Sequence, residues 1–156
     1  MKLIHKALTI MDRCRPFTVA HAHCDVPCGI YDPTVAQISA LTAVRMIDLM
    51  EKLEKETSDK GLSYQNSISR YVAEKERHAE TVKEEVRIIW VDYYKAKQLE
   101  AYPQIHVLVH DIFLLGSKVK QCVDRDAAVK LVEKINEFSE AFWDTKGIST
   151  KNYSNM

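Results

Sequence analysis

Residues 68–93 read ISRYVAEKERHAETVKEEVRIIWVDY. Ile68, Tyr71, Val72, Ala79, Val82, Val86, Ile89, Trp90 and Tyr93 recur near the 3.6-residue period, while Glu, Lys and Arg fill the other faces. The spacing predicts one long amphipathic helix. Its apolar stripe has to be buried, and the sequence on either side supplies the partners.

Upstream, Asp32-Pro33 is a helix start, because Asp caps free amides and Pro is tolerated in the first turn. Val35, Ile38, Leu41, Ile47, Met50 and Leu53 then mark a first helix that ends near Glu56, where Thr57-Ser58-Asp59-Lys60-Gly61 breaks the pattern. Downstream, Pro103 opens a third helix with Ile105, Leu108, Ile112, Leu115 and Val119 on one side, closing after Gly116 or Lys120. A fourth starts near Asp124, carries Ala128, Leu131, Ile135, Phe138 and Phe142, and stops at Gly147. Four such helices on short connections bury their stripes against one another, so the expected fold is all-α, an antiparallel four-helix bundle over residues 32–147 with a tail at 148–156. Low glycine and proline and a 28% charged fraction agree with it.

Basic and acidic side chains number 22 each, so no net positive field recruits nucleic acid or an anionic membrane. Charges interrupt every apolar run before the roughly 18–20 residues that span a bilayer. Residues 1–22 differ in character, carrying Lys2, Lys6, Arg13 and Arg15 against Asp12 alone. Ala20-His21-Ala22 resembles the site before signal cleavage, but Lys6, Asp12 and Arg13 leave too short an apolar core for export. The expected compartment is the cytoplasm.

The four cysteines, Cys14, Cys24, Cys28 and Cys122, are not a disulfide framework. Two of them sit in His23-Cys24-Asp25-Val26-Pro27-Cys28-Gly29-Ile30-Tyr31, where Pro27 and Gly29 argue for an irregular hook rather than a helix. Two thiolates, an imidazole and backbone nitrogen around one ion suit nickel or copper, whereas zinc needs a fourth side chain for its tetrahedral shell. On spacing alone a structural thiol pair, a disulfide or a weak zinc site remain alternatives.

The whole string, His-Cys-Asp-x-Pro-Cys-Gly-x-Tyr-Asp-Pro followed by a four-helix pattern, resembles the nickel superoxide dismutase family. Trp90-Val91-Asp92-Tyr93-Tyr94-Lys95, Tyr102-Pro103 with His106, and Phe142-Trp143-Asp144-Thr145-Lys146 look like the family's later landmarks in order. The resemblance implies nickel held by the amine and imidazole of His23, the backbone nitrogen and thiolate of Cys24 and the Cys28 thiolate. It also implies an oxidoreductase that cycles Ni(III)/Ni(II), releasing dioxygen from one superoxide and peroxide from the next. The His23 imidazole is then the axial ligand of the oxidised state, and thiolate donation brings the couple into range.

By the same resemblance Tyr31 stands beside the open metal face; residue chemistry has Asp25 brace the hook of residues 23–31 through backbone hydrogen bonds, Pro27 fix its turn and Gly29 let the chain reverse. Residues 1–22 become a propeptide without a fixed fold. While Ala22 is joined to His23 that nitrogen is an amide, so a processing protease has to cut there. A homohexamer is implied as well. One departure stands out: the glutamate and arginine that support the metal-binding imidazole in some members fall here at Ser39 and His78, so those roles are not carried over. His106 and His110, four apart, are read as partly exposed helix positions, His78 as a surface residue and Cys122 as a buried or harmless thiol.

Overall fold

The computed structural model describes residues 29–150 and 152. Its helices are α1 (Thr34–Glu56), α2 (Leu62–Asp92), α3 (Ala96–Ala101), α4 (Ile105–Gln121) and α5 (Arg125–Asp144), with no strand among the described residues. Local chemistry sets the boundaries. Asp32 Oδ1 accepts the Thr34 amide at 2.8 Å ahead of α1, and Asp59 Oδ1 accepts the Gly61 amide at 2.9 Å ahead of α2. Asp124 caps α5 by accepting from the Ala127 amide at 2.9 Å, and Gly147, at φ 70°, takes the left-handed conformation that ends the final turn.

The long helices pack in the cyclic order α1, α2, α4, α5, each against its two neighbours. Cross-helix contacts give the alternation of direction. Lys75 near the middle of α2 reaches the last carbonyls of α4, while Trp90 late in α2 meets His106 at the start of α4. Gln37 early in α1 pairs with Asn136 late in α5, and Asp48 further along α1 pairs with Arg125 at the start of α5. The four-helix expectation therefore holds, with α3 as a short addition between α2 and α4. No helix among the described residues is long and apolar enough to cross a membrane.

Ile47, Val82, Val86, Ile89, Ile112, Leu131, Ile135, Phe138 and Phe142 fill the core and are buried to 2% exposure or less. The α1 stripe differs from expectation. Val35 and Ile38 are about half exposed (48% and 51%), and Ala36, Ala40 and Ala43 face the core instead. Alanine contributes little to a pattern read from large side chains, yet its short side chain is what lets two helices approach closely. Helix α2 also begins six residues before the expected stripe, since Gly61 and not Ile68 sets its start. Helix α4 begins after the Pro103 turn, at Ile105.

A buried polar contact joins α1 and α5: Gln37 Nε2 donates to Asn136 Oδ1 at 3.0 Å, with the two residues 4% and 9% exposed. It fixes the axial register of α1 against α5, because a shift would strand both amides away from water.

Candidate metal centre

The antiparallel order brings the start of α1, the end of α2, the start of α4 and the end of α5 to one end of the bundle. Aromatic side chains collect there. Gly29 holds φ 70°, Ile30 is exposed, and Tyr31 turns inward to a half-buried position. The Tyr31 ring lies 5.9 Å from the Tyr93 ring at 58°. Tyr93, just past α2, packs in turn edge-on against Tyr94 at 5.4 Å and Phe142 at 4.8 Å, and Phe142 meets Trp143 at 4.9 Å. These tilted and edge-to-face contacts each add to burial through the ring quadrupoles.

The polar atoms around this collar are mostly engaged. The Tyr93 phenol and Thr145 Oγ1 lie 2.5 Å apart, and Thr145 Oγ1 donates to the Phe142 carbonyl at 2.6 Å. Tyr102 donates to Asp144, and Trp90 Nε1 donates to His106 Nδ1 at 3.0 Å. Lys146 Nζ lies 4.7 Å from the Phe142 centroid and 5.3 Å from that of Tyr93, a cation over aromatic faces. Tyr94 is 4% exposed and its hydroxyl has no partner among the described residues. Burial pushes its phenol far above the ordinary tyrosine range, so it stays protonated.

Of the site residues expected from sequence, Gly29 and Tyr31 are placed, and His23, Cys24, Asp25, Pro27 and Cys28 lie outside the described residues. Among the described residues no three His, Cys, Asp or Glu side chains come together in a way that could hold a metal ion. Cys122 is a free, exposed thiol, not a buried one. His106 already accepts a hydrogen bond on Nδ1, which removes that nitrogen from any shared chelate with His110.

The family described as nickel-containing superoxide dismutase matches residues 18–146, most of the chain. The chain belongs to that family. Superoxide dismutase [Ni] of Streptomyces seoulensis and that of Streptomyces coelicolor are each 34% identical over 131 residues, covering 84% of this chain and 93% of the relative. A native nickel superoxide dismutase structure superposes with a TM-score of 0.68 at 33% identity, covering 80% of this chain and 99% of that one. A structure with the nickel ligation of the oxidised state gives 0.68 at 32% identity over 81% and 100%. As a nickel superoxide dismutase the protein is an oxidoreductase whose cofactor is nickel and whose substrate is superoxide.

Sequence reasoning placed Tyr93 on a core stripe and gave Thr145 and Lys146 no role. Their signal lay in two aromatic strings, at 90–95 and 142–146, sitting at the ends of the second and fourth helices. Antiparallel alternation places both ends beside the start of the first. At the two departure positions, Ser39 is buried and His78 is partly buried rather than on the surface. His78 Nε2 lies 2.8 Å from Arg77 Nη2, and its Nδ1 is buried without a partner among the described residues.

Proposed function

We propose that residues 23–28 wrap one nickel ion once the chain is cut between Ala22 and His23, and that Tyr31 with its collar forms the mouth through which superoxide arrives. The ligands are the amine and imidazole of His23, the backbone nitrogen and thiolate of Cys24, and the Cys28 thiolate. Bound nickel supplies the Ni(III)/Ni(II) couple, which takes an electron from one superoxide to give dioxygen and passes it to a second, with two protons, to give hydrogen peroxide.

The chain's own residues prepare that chemistry. Gly29 reverses the backbone with its left-handed φ, Pro27 limits the turn before it, and Asp25 braces the hook through its carboxylate. Tyr31, held against Tyr93, presents a phenol that orders water or a small anion and narrows the approach. The Lys146 ammonium adds positive charge at the same end for an anionic substrate. In this reading residues 1–22 are a propeptide removed by a processing protease, residues 32–147 the bundle, and the enzyme works as a cytoplasmic homohexamer.

The observation that carries the reading is the Tyr31–Tyr93 contact, which ties the end of the Cys-bearing string to the aromatic end of the bundle. The test compares the full chain with one beginning at His23, both given nickel, for metal content and superoxide dismutation. Only the shortened chain should be active, and Cys24→Ser or Cys28→Ser should abolish nickel binding. Equal activity of long and short chains would sink the amine ligand, and full activity of either serine variant would sink the hook.

A further inference from the structure

Thr145 lies between two oxygen atoms. Its Oγ1 is 2.6 Å from the Phe142 carbonyl oxygen and 2.5 Å from the Tyr93 phenol oxygen. A carbonyl oxygen can only accept, so the first contact requires the single threonine hydroxyl proton. The second contact must then be made with the proton of Tyr93. Donation runs in one direction, from Tyr93 to Thr145 to the Phe142 carbonyl, and the phenol oxygen of Tyr93 has only lone pairs left for other neighbours.

That ordering matters because Tyr93 packs on Tyr31 at the mouth of the site. Superoxide, hydroperoxide and other small anions are hydrogen-bond acceptors. A phenol whose proton is committed to Thr145 does not hold them, whereas one released from Thr145 would add a second donor beside Tyr31. We propose that Thr145 is a positioning residue that keeps Tyr93 an acceptor, so that superoxide and other small anions bind only weakly at the mouth. The kinetic half of this rests on the nickel-hook reading above; the direction of the hydrogen bonds does not.

Ultraviolet resonance Raman spectra of the full chain without metal test the direction, since the tyrosine Fermi doublet distinguishes donating from accepting phenols. The difference between the native chain and Tyr93→Phe should carry a donor signature. Thr145→Val should remove that signature and Thr145→Ser retain it. Thr145→Ala, smaller and also lacking the hydroxyl, should match the valine variant if lost bonding and not crowding is the cause. In the processed, nickel-loaded enzyme, azide serves as the anion probe. Thr145→Val should tighten azide inhibition about five-fold, the scale of one net hydrogen bond, and lower kcat and KM together, with Thr145→Ser restoring native values. An accepting signature for Tyr93 in the native chain, or unchanged azide inhibition and KM in Thr145→Val, overturns the proposal. Failure of the nickel-hook reading shows elsewhere, as full activity in Cys24→Ser, and leaves the Raman result intact.

Discussion

The two ring nitrogens of His78 have different surroundings. Arg77 can only donate, so Nε2 of His78 accepts from it and the ring proton is left on Nδ1, which is buried without a partner among the described residues. Burial, helped by the Arg77 charge and opposed by Glu74, holds the imidazole below its ordinary value of 6.5. The unfolded chain therefore binds more protons than the native one in the interval just below 6.5. Stability from this residue is fully present above that value and is lost as pH falls through the lowered native value. Urea midpoints at about pH 7.5 and about pH 5.5 should differ less in His78→Gln than in the native protein. An unaltered acid slope in the variant would assign the dependence to other groups. Side chains of this kind were only partly legible in the sequence. The string at 23–31 stood out because its expected donors are neighbours in the chain, whereas the Tyr93–Thr145 pairing joins residues 52 apart and needs the bundle to be built first.

Lys75 makes the same point for a whole helix. It is 2% exposed and forms no ion pair among the described residues, yet its ammonium donates to the carbonyls of Val119 at 2.6 Å, Lys120 at 2.8 Å and Cys122 at 3.0 Å. The end of α4 would otherwise leave those carbonyls turned into the protein, and a cation there also meets the negative end of the helix dipole. Burial lowers the lysine pKa, and the charge of the neighbouring Glu76 works against that fall. Lys75→Met, which keeps the stem but strands the carbonyls, should lower stability by about 2 kcal/mol in a denaturant titration. A loss within the scatter of surface substitutions would show that α4 does not depend on this cap. Helix ends were legible where a short-range cap marks them, as at Asp124, and helix α3 was not, because six residues are too few to display a period. Lys75 read as one more charge on a solvated face.

Across the molecule, stability should follow the observed core and not the expected α1 stripe. Phe138→Ala empties a fully buried site that touches the Tyr94 ring and should cost about 3–5 kcal/mol, while Ile38→Ala on the half-exposed face of α1 should stay within about 0.5 kcal/mol. Comparable losses in the two variants would return Ile38 to the core. Topology itself was readable because four stripes of helical period admit few arrangements, but which residues of α1 face inward depended on how closely α2 approaches. The Gln37–Asn136 bond acquires a second meaning in that setting. Helix α1 begins three residues after Tyr31, so its axial position determines where Tyr31 sits. A slip of one helical turn would displace Tyr31 by about 5.4 Å and part it from Tyr93. The amide pair thus acts as an indexing pin: two side chains remote from Tyr31 set its alignment with the aromatic end of the bundle.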